Sequence, residues 1–235
     1  MTALLPDVDL QALHVVVPAR DEAARLPAML ASLRVALDAV RRHRPSLQLG
    51  VTVVLDSCTD ASAEVVAAYP WVDALPVSLG VVGRVRAAGI AHARGATDPD
   101  RTWIASTDAD SQVPPDWLLQ QVRRAEEGHG LVVGTVHPDP GELEPGLLAQ
   151  WRARHSTADG HSHVHGANLG FTLAAYDLVG GFPSLAVHED VALVTRMRDH
   201  GVRSCSTGRG AVLTSGRLAG RTPAGFAAYL ATLGA

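Results

Sequence analysis

Apolar positions along the first half of this chain switch between strand-like runs and helical spacing. His14–Pro18 is a β-branched run closed by proline and predicts a buried strand. Leu26, Leu30, Leu33 and Leu37 then fall on one face of a helix from Leu26 to Arg42. Gly50–Asp56 carries VTVVLD, a second strand, and Thr59 or Asp60 is placed to cap a helix running through Tyr69. Val72–Val77 predicts a third strand, Gly83–Arg94 a helix and Arg101–Thr107 a fourth strand. Pro114-Pro115 opens a helix over Asp116–Glu127, and Leu131–Val136 is a fifth strand. The alternation predicts an α/β fold with a mostly parallel sheet flanked by helices. Ligands of such sheets bind beyond the carboxyl ends of the strands, where Pro18, Asp56 and Asp108 fall.

From His137 the rhythm loosens. His137–Glu144 is an acidic Pro/Gly-rich loop, and a helix around Leu147–Arg154 and a polar stretch His155–His165 follow. Ala167–Leu173 predicts a strand, Ala174–Val179 a short helix, and Glu189 to His200 a helix closed by Gly201. Two short strands, Arg203–Ser206 and Ala211–Thr214, precede an apolar helix, Pro223–Leu233, whose Phe226, Tyr229 and Leu230 suit packing on the domain, on a second subunit or on a membrane surface. With no internal repeat or low-complexity linker, residues 1–235 form one domain with a smaller second subregion.

The chemistry concentrates where the fourth strand runs out, at Ser106-Thr107-Asp108-Ala109-Asp110-Ser111. In extended backbone, side chains two apart point the same way, so Asp108 and Asp110 converge on one point. Two hard oxygen ligands there suit Mg²⁺ or Mn²⁺; the same letters also make a solvated strand-end turn. Composition narrows the choice. All 20 basic residues are Arg, so Schiff-base chemistry and a P-loop lysine are excluded. A net charge of −4 argues against a nucleic-acid surface. The two cysteines fit no disulfide or metal pattern, and no apolar run reaches membrane-spanning length. Without a basic region followed by an apolar one at the N-terminus, a soluble cytoplasmic protein is expected.

Several segments, in order, resemble family 2 glycosyltransferases of the GT-A fold, from about residue 14 to residue 217. VVVPARDEAARLPAMLASL is similar to that family's first strand-loop-helix, LDSCTDAS to its D-D-x-S-x-D segment, VRAAG at 85–89 to its ARNxG segment, and STDAD to its D-x-D. HGANLGF followed by GGF resembles the acceptor-side segment, and HED at 188–190 the ED at a helix start. The chain departs from the pattern at Cys58 and at Ala87, which stands where Asn is usual. A Q-x-x-R-W segment is missing, which argues against a processive polysaccharide synthase.

The resemblance implies inverting transfer of a sugar from a UDP- or GDP-sugar to a small-molecule or lipid-headgroup hydroxyl. Residues of about 12–136 would form the nucleotide half and about 137–235 the acceptor half. Pro18, Arg20, Glu22, Asp56, Arg86 and Asp108 would bind the nucleotide, and Asp110 with Asp108 the metal. Asp190 is the expected base, at a helix start whose dipole favours an ionised carboxylate, with Glu189 the alternative. Arg84 and Arg217 are expected at the diphosphate, since the arginine fork suits phosphate. His163 and His165 are expected at the acceptor site or supporting it, and Asn168 either hydrogen-bonds an acceptor hydroxyl or stabilises a turn. Two rivals stand beside this: a zinc hydrolase centred on His161, His163 and His165, and a nucleotide-sugar-binding protein without catalysis.

Overall fold

The computed structural model describes residues 9–95, 97–220 and 225–233. β1 (Ala12–Ala19), β2 (Gln48–Asp56), β3 (Asp73–Val77) and β4 (Thr102–Ser106) form a parallel block, and their positions match the apolar runs within a few residues. α1 (Leu26–His43), α2 (Ser62–Ala67) and α3 (Val82–Ala93) connect them. β5 (Ser111–Gln112), α4 (Trp117–Glu126), β6 (Leu131–Pro138), α5 (Pro145–Arg154), β7 (Leu169–Thr172), α6 (Leu173–Leu178), α7 (Glu189–Asp199), β8 (Ser204–Thr214) and α8 (Phe226–Thr232) follow. Pro223, the expected start of the last helix, lies outside the described residues.

Among the described residues the strands form one eight-stranded sheet, ordered β3-β2-β1-β4-β7-β6-β8-β5. Four neighbouring pairs are parallel and three antiparallel, the latter involving β7 and β5. β7 inserts between β4 and β6, so the two halves of the chain share one sheet. The two short strands expected near Arg203–Thr214 are one strand, β8, whose pairing with β6 shifts register between Gly134 and Val136.

The pleat sorts the core into two layers. Val15, Val17, Val51, Val53, Trp103 and Ala105 face a layer with α1, α4, Trp151 of α5 and Leu230 of α8. Val16, Val54 and Ile104, at intervening positions, face α3, α6 and α7. Leu230 of α8 and Leu233 just after it join the first core layer of the domain, with Phe226 packed against it. α3 lies close against the sheet at Gly89: a Cβ there would stand 2.5 Å from Val16 Cγ1 and 2.7 Å from Val54 Cγ2. That contact fixes how Arg86, one turn earlier, enters the interior. No described helix is long and apolar enough to cross a membrane.

Candidate active site

The loops after β1 and β2 are tied together by their own polar residues. Asp21 Oδ1 accepts from the amides of Thr59 (2.7 Å) and Asp60 (3.3 Å), and Asp60 Oδ2 accepts from Ala23 N–H (3.0 Å). Glu22 N–H donates to Ser62 Oγ (2.9 Å). Thus the expected capping residue Asp60 serves two loops, and Glu22 is held buried at the strand ends. Asp56 is buried too, its carboxylate accepting from Leu79 N–H (2.7 Å) and Gly80 N–H (3.0 Å) in the loop after β3. Pro18, Arg20, Glu22, Asp56, Asp110 and Arg217 all line one cavity of about 290 Å³.

Three non-glycine residues adopt positive φ among those described: Asp21 (49°), Ser57 (54°) and His188 (61°). Each adjoins an expected site residue: Glu22, Asp56 and Glu189. Left-handed backbone is costly away from glycine and persists where surrounding contacts enforce it, which is common at functional sites.

Two arginines organise the charge. Arg86, only 3% exposed, donates from Nη1 to Glu189 Oε1 (2.5 Å), from Nη2 to Asp108 Oδ1 (2.5 Å) and from Nε to Ser106 Oγ (3.2 Å). It fits because Gly166 has no side chain: a Cβ there would stand 2.6 Å from Arg86 Nη2. Arg217, beyond β8, reaches across the chain and donates from Nη2 to both Glu22 Oε1 and Asp110 Oδ2, each at 2.8 Å. Glu142 steadies its approach by accepting from Ser215 Oγ (2.6 Å) and Gly216 N–H (3.0 Å). Burial pushes the Glu189 carboxyl up, with Arg86 opposing. Burial and the neighbouring Asp108 push Asp110 up to about 6, with Arg217 opposing.

The D-x-D pair fits a hard divalent cation. Its donors are carboxylate oxygens, and Asp110 is buried beside a second carboxylate, Asp108, a pair whose like charges a cation would offset. A different trio, Asp21, Cys58 and Asp60, brings its potential ligand atoms within 4.8 Å. Its carboxylates are the loop ties just described, and burial pushes the Cys58 thiol up, away from the thiolate a metal would bind.

A second cavity, about 530 Å³, meets the first at Arg86 and Asp108, which line both. Glu189 and Asp190, at the start of α7, are on its wall with His163 and His165. Asp190 is fixed by two amides, Gly166 N–H to Oδ2 (2.7 Å) and Val191 N–H to Oδ1 (2.8 Å). Trp151, Phe226 and Tyr229 complete the wall. Sequence reasoning missed Trp151 as a wall residue; three of only ten aromatics in the chain gather here from widely separated positions, a concentration visible only after folding.

Two expected site residues and the histidines of the rival zinc reading are placed as follows. Asn168 is buried and lines neither cavity, with Oδ1 accepting from Trp117 Nε1 (2.8 Å) and Nδ2 donating to the carbonyls of Thr135 (2.8 Å) and Gly210 (3.0 Å). It joins α4, β6 and β8. Arg84 is exposed on α3 and lines neither cavity, because the face of α3 that enters the interior is the one carrying Arg86. The three histidines do not gather into a metal-binding group among the described residues. Alternation puts them on one side of an extended segment, but their ring centroids step 6.0 Å and 6.3 Å apart and His161 Nε2 turns to the Thr207 carbonyl (3.2 Å).

Comparison with known proteins adds the following. The family model for Glycosyl transferase family 2 matches residues 14–174. Among solved structures, residues 1–349 of S. aureus TarS superpose with a TM-score of 0.63 at 16% identity, covering 86% of this chain and 60% of that one. The mannosyltransferase PcManGT from Pyrobaculum calidifontis, in complex with GDP-Man and Mn²⁺, gives 0.60 at 21% identity, covering 88% and 59%. Glucosyl-3-phosphoglycerate synthase from Mycobacterium tuberculosis, in complex with phosphoglyceric acid, gives 0.59 at 18%, covering 88% and 73%. The likeness is one of fold, GT-A, and the chain spans about 60% of the length of the first two. No match is found among curated proteins.

Proposed function

The chain belongs to glycosyl transferase family 2, and on that premise we propose that it transfers a sugar from a nucleoside-diphosphate sugar to a hydroxyl acceptor, with inversion and with help from a divalent cation. One observation carries this reading. Asp108 and Asp110 stand at the carboxyl edge of the sheet, where a cavity lined by Glu22, Asp56 and Arg217 meets a second one lined by Asp190.

In this reading the first cavity takes the donor. Pro18, Arg20, Glu22 and Asp56 surround the nucleoside, and Arg217 turns from Asp110 to the diphosphate. Asp110, with Asp108, would hold Mg²⁺ or Mn²⁺. When bound, the cation acts as a Lewis acid on the charge that grows on the diphosphate. Arg86, expected at the nucleotide, is in this reading a positioning residue that holds Asp108 and Glu189 at the junction, because its nitrogens are taken by them and by Ser106. Asp190 takes the acceptor proton as the acceptor oxygen bonds to the anomeric carbon from the face opposite the diphosphate. The anomeric C–O bond breaks, and the nucleoside diphosphate leaves with the electron pair. Glu189, committed to Arg86, positions this pair. The two amides on Asp190 orient its carboxylate while leaving lone pairs to accept a proton.

The test is calorimetry of UDP and GDP binding with and without Mn²⁺. One of them should bind in a metal-dependent way, and Asp110→Ala should remove that dependence. Asp110 must be ionised to take the metal, so metal-dependent affinity should fall as pH drops through about 6. Undiminished metal-dependent binding by Asp110→Ala would refute the assignment.

A further inference from the structure

The second cavity has a wall that the transfer reaction does not account for. Trp151 stacks flat on His155, with ring centroids 3.3 Å apart and planes 9° from parallel. Tyr229 stands edge-on to both, 5.8 Å from Trp151 and 5.4 Å from His155. His155 lies 4.7 Å from His163, and His163 lies 6.3 Å from His165 with planes 27° apart. Aromatic rings, imidazoles and the carboxylates of Asp108, Glu189 and Asp190 thus line one cavity, with His155 Nδ1 already engaged by the Trp151 carbonyl (3.1 Å).

We propose that this cavity takes a neutral glycosyl acceptor, a sugar hydroxyl on a unit without phosphate or carboxylate; the proposal rests on the transfer reaction above. Two features carry it. First, among the described residues the cavity offers little to an anion. Among the described residues its arginines are Arg86, whose nitrogens are taken by Ser106, Glu189 and Asp108, and Arg154, which is exposed at the rim. Arg86 offsets one of the three carboxylate charges of Asp108, Glu189 and Asp190, so this group stays net negative and opposes a phosphate. Second, a neutral imidazole donates one hydrogen bond and accepts another, the pairing a sugar hydroxyl needs, while Tyr229, an exposed ring on the cavity wall, offers apolar surface to the C–H face of a pyranose. The histidines hold that neutral form. Burial and the neighbouring imidazoles push His165 down to about 3, and burial lowers His155 and His163 as well. A volume of about 530 Å³ is ample for a sugar unit and part of its aglycone.

The experiment uses the full chain loaded with Mn²⁺ and whichever of UDP or GDP binds. Saturation-transfer NMR and competition titrations compare the methyl glycosides of glucose, galactose and mannose with the 6-phosphates of the same hexoses and with phosphoglycerate. At least one methyl glycoside should bind, and each phosphorylated probe should bind about tenfold more weakly or worse. His163→Ala, a change at a partly exposed ring, should weaken the glycoside about five- to tenfold and leave nucleotide affinity unchanged. A phosphorylated probe binding as well as the glycosides overturns the proposal, as does silence from every glycoside while the nucleotide binds. If neither nucleotide binds, the donor reading fails and this inference falls with it.

Discussion

Arg86→Ala separates the energetic roles of the two carboxylates that Arg86 touches. The Glu189 side chain is 7% exposed and that of Asp108 34%. Asp108 reaches water, so its loss of a partner costs little. Glu189 would be left as a buried charge facing no guanidinium, at about 3–5 kcal/mol. For a chain of 235 residues that is a fall in Tm of about 6–20 °C, at roughly 2–4 °C per kcal/mol. The pH dependence follows in sign. Burial already raises the Glu189 pKa against the pull of Arg86, and removing Arg86 raises it further. A carboxylate with a folded pKa above its unfolded value binds more protons when folded, so its contribution is favourable at low pH and is lost as pH rises through the folded pKa. Arg86→Ala should therefore be much more destabilised at pH 8 than at pH 5. Adding Glu189→Gln should recover much of the loss at pH 8, because the amide carries no charge. Thermal unfolding of the three proteins at both pH values is the assay. An equal fall in Tm at pH 5 and pH 8, with no recovery in the double variant, would refute the reasoning.

Two further outcomes follow from the site. Asp190→Asn should lower kcat about 10²–10⁴-fold while leaving nucleotide affinity intact, since it keeps the shape but cannot accept a proton; NMR of the product anomer should show inversion, and retention would remove Asp190 from the base role. Asn168→Ala should destabilise the fold, by about 1–3 kcal/mol for each buried group it orphans, yet leave the acceptor KM unchanged in steady-state assays. A raised acceptor KM in a stably folded Asn168→Ala would restore it to the acceptor site.

Some of this protein was determined locally. Val15 to Val17, Val51 to Leu55 and Trp103 to Ala105 specify strands because their alternating side chains are buried on both faces of the sheet, and Leu26, Leu30, Leu33 and Leu37 specify a helix by spacing alone. Asp108 and Asp110 were legible as a pair because their separation along the backbone sets their separation in space. Asp190 was legible as the second residue of a helix for the same reason.

Contacts between distant segments were not legible. Nothing near Arg217 in sequence says that its guanidinium crosses to Glu22, 195 residues away, and to Asp110. Nor do neighbouring letters distinguish Arg84, turned to solvent, from Arg86, turned inward; the close approach of α3 at Gly89 and the space left by Gly166 decide it. The sole asparagine suited either a substrate contact or a turn because its chemistry allows both, but the fold spent its amide on Trp117, Thr135 and Gly210. Three histidines at alternating positions admitted a rival reading as metal ligands because alternation puts side chains on one side. Whether their nitrogens converge depends on the backbone's path and on what each ring meets, and here Thr207 draws one ring away while Trp151 and Tyr229 pack against their neighbour His155. Sequence spacing fixes direction over two or four residues; which groups meet across the sheet is set by strand order and helix approach, and those are settled only by burying the whole core at once.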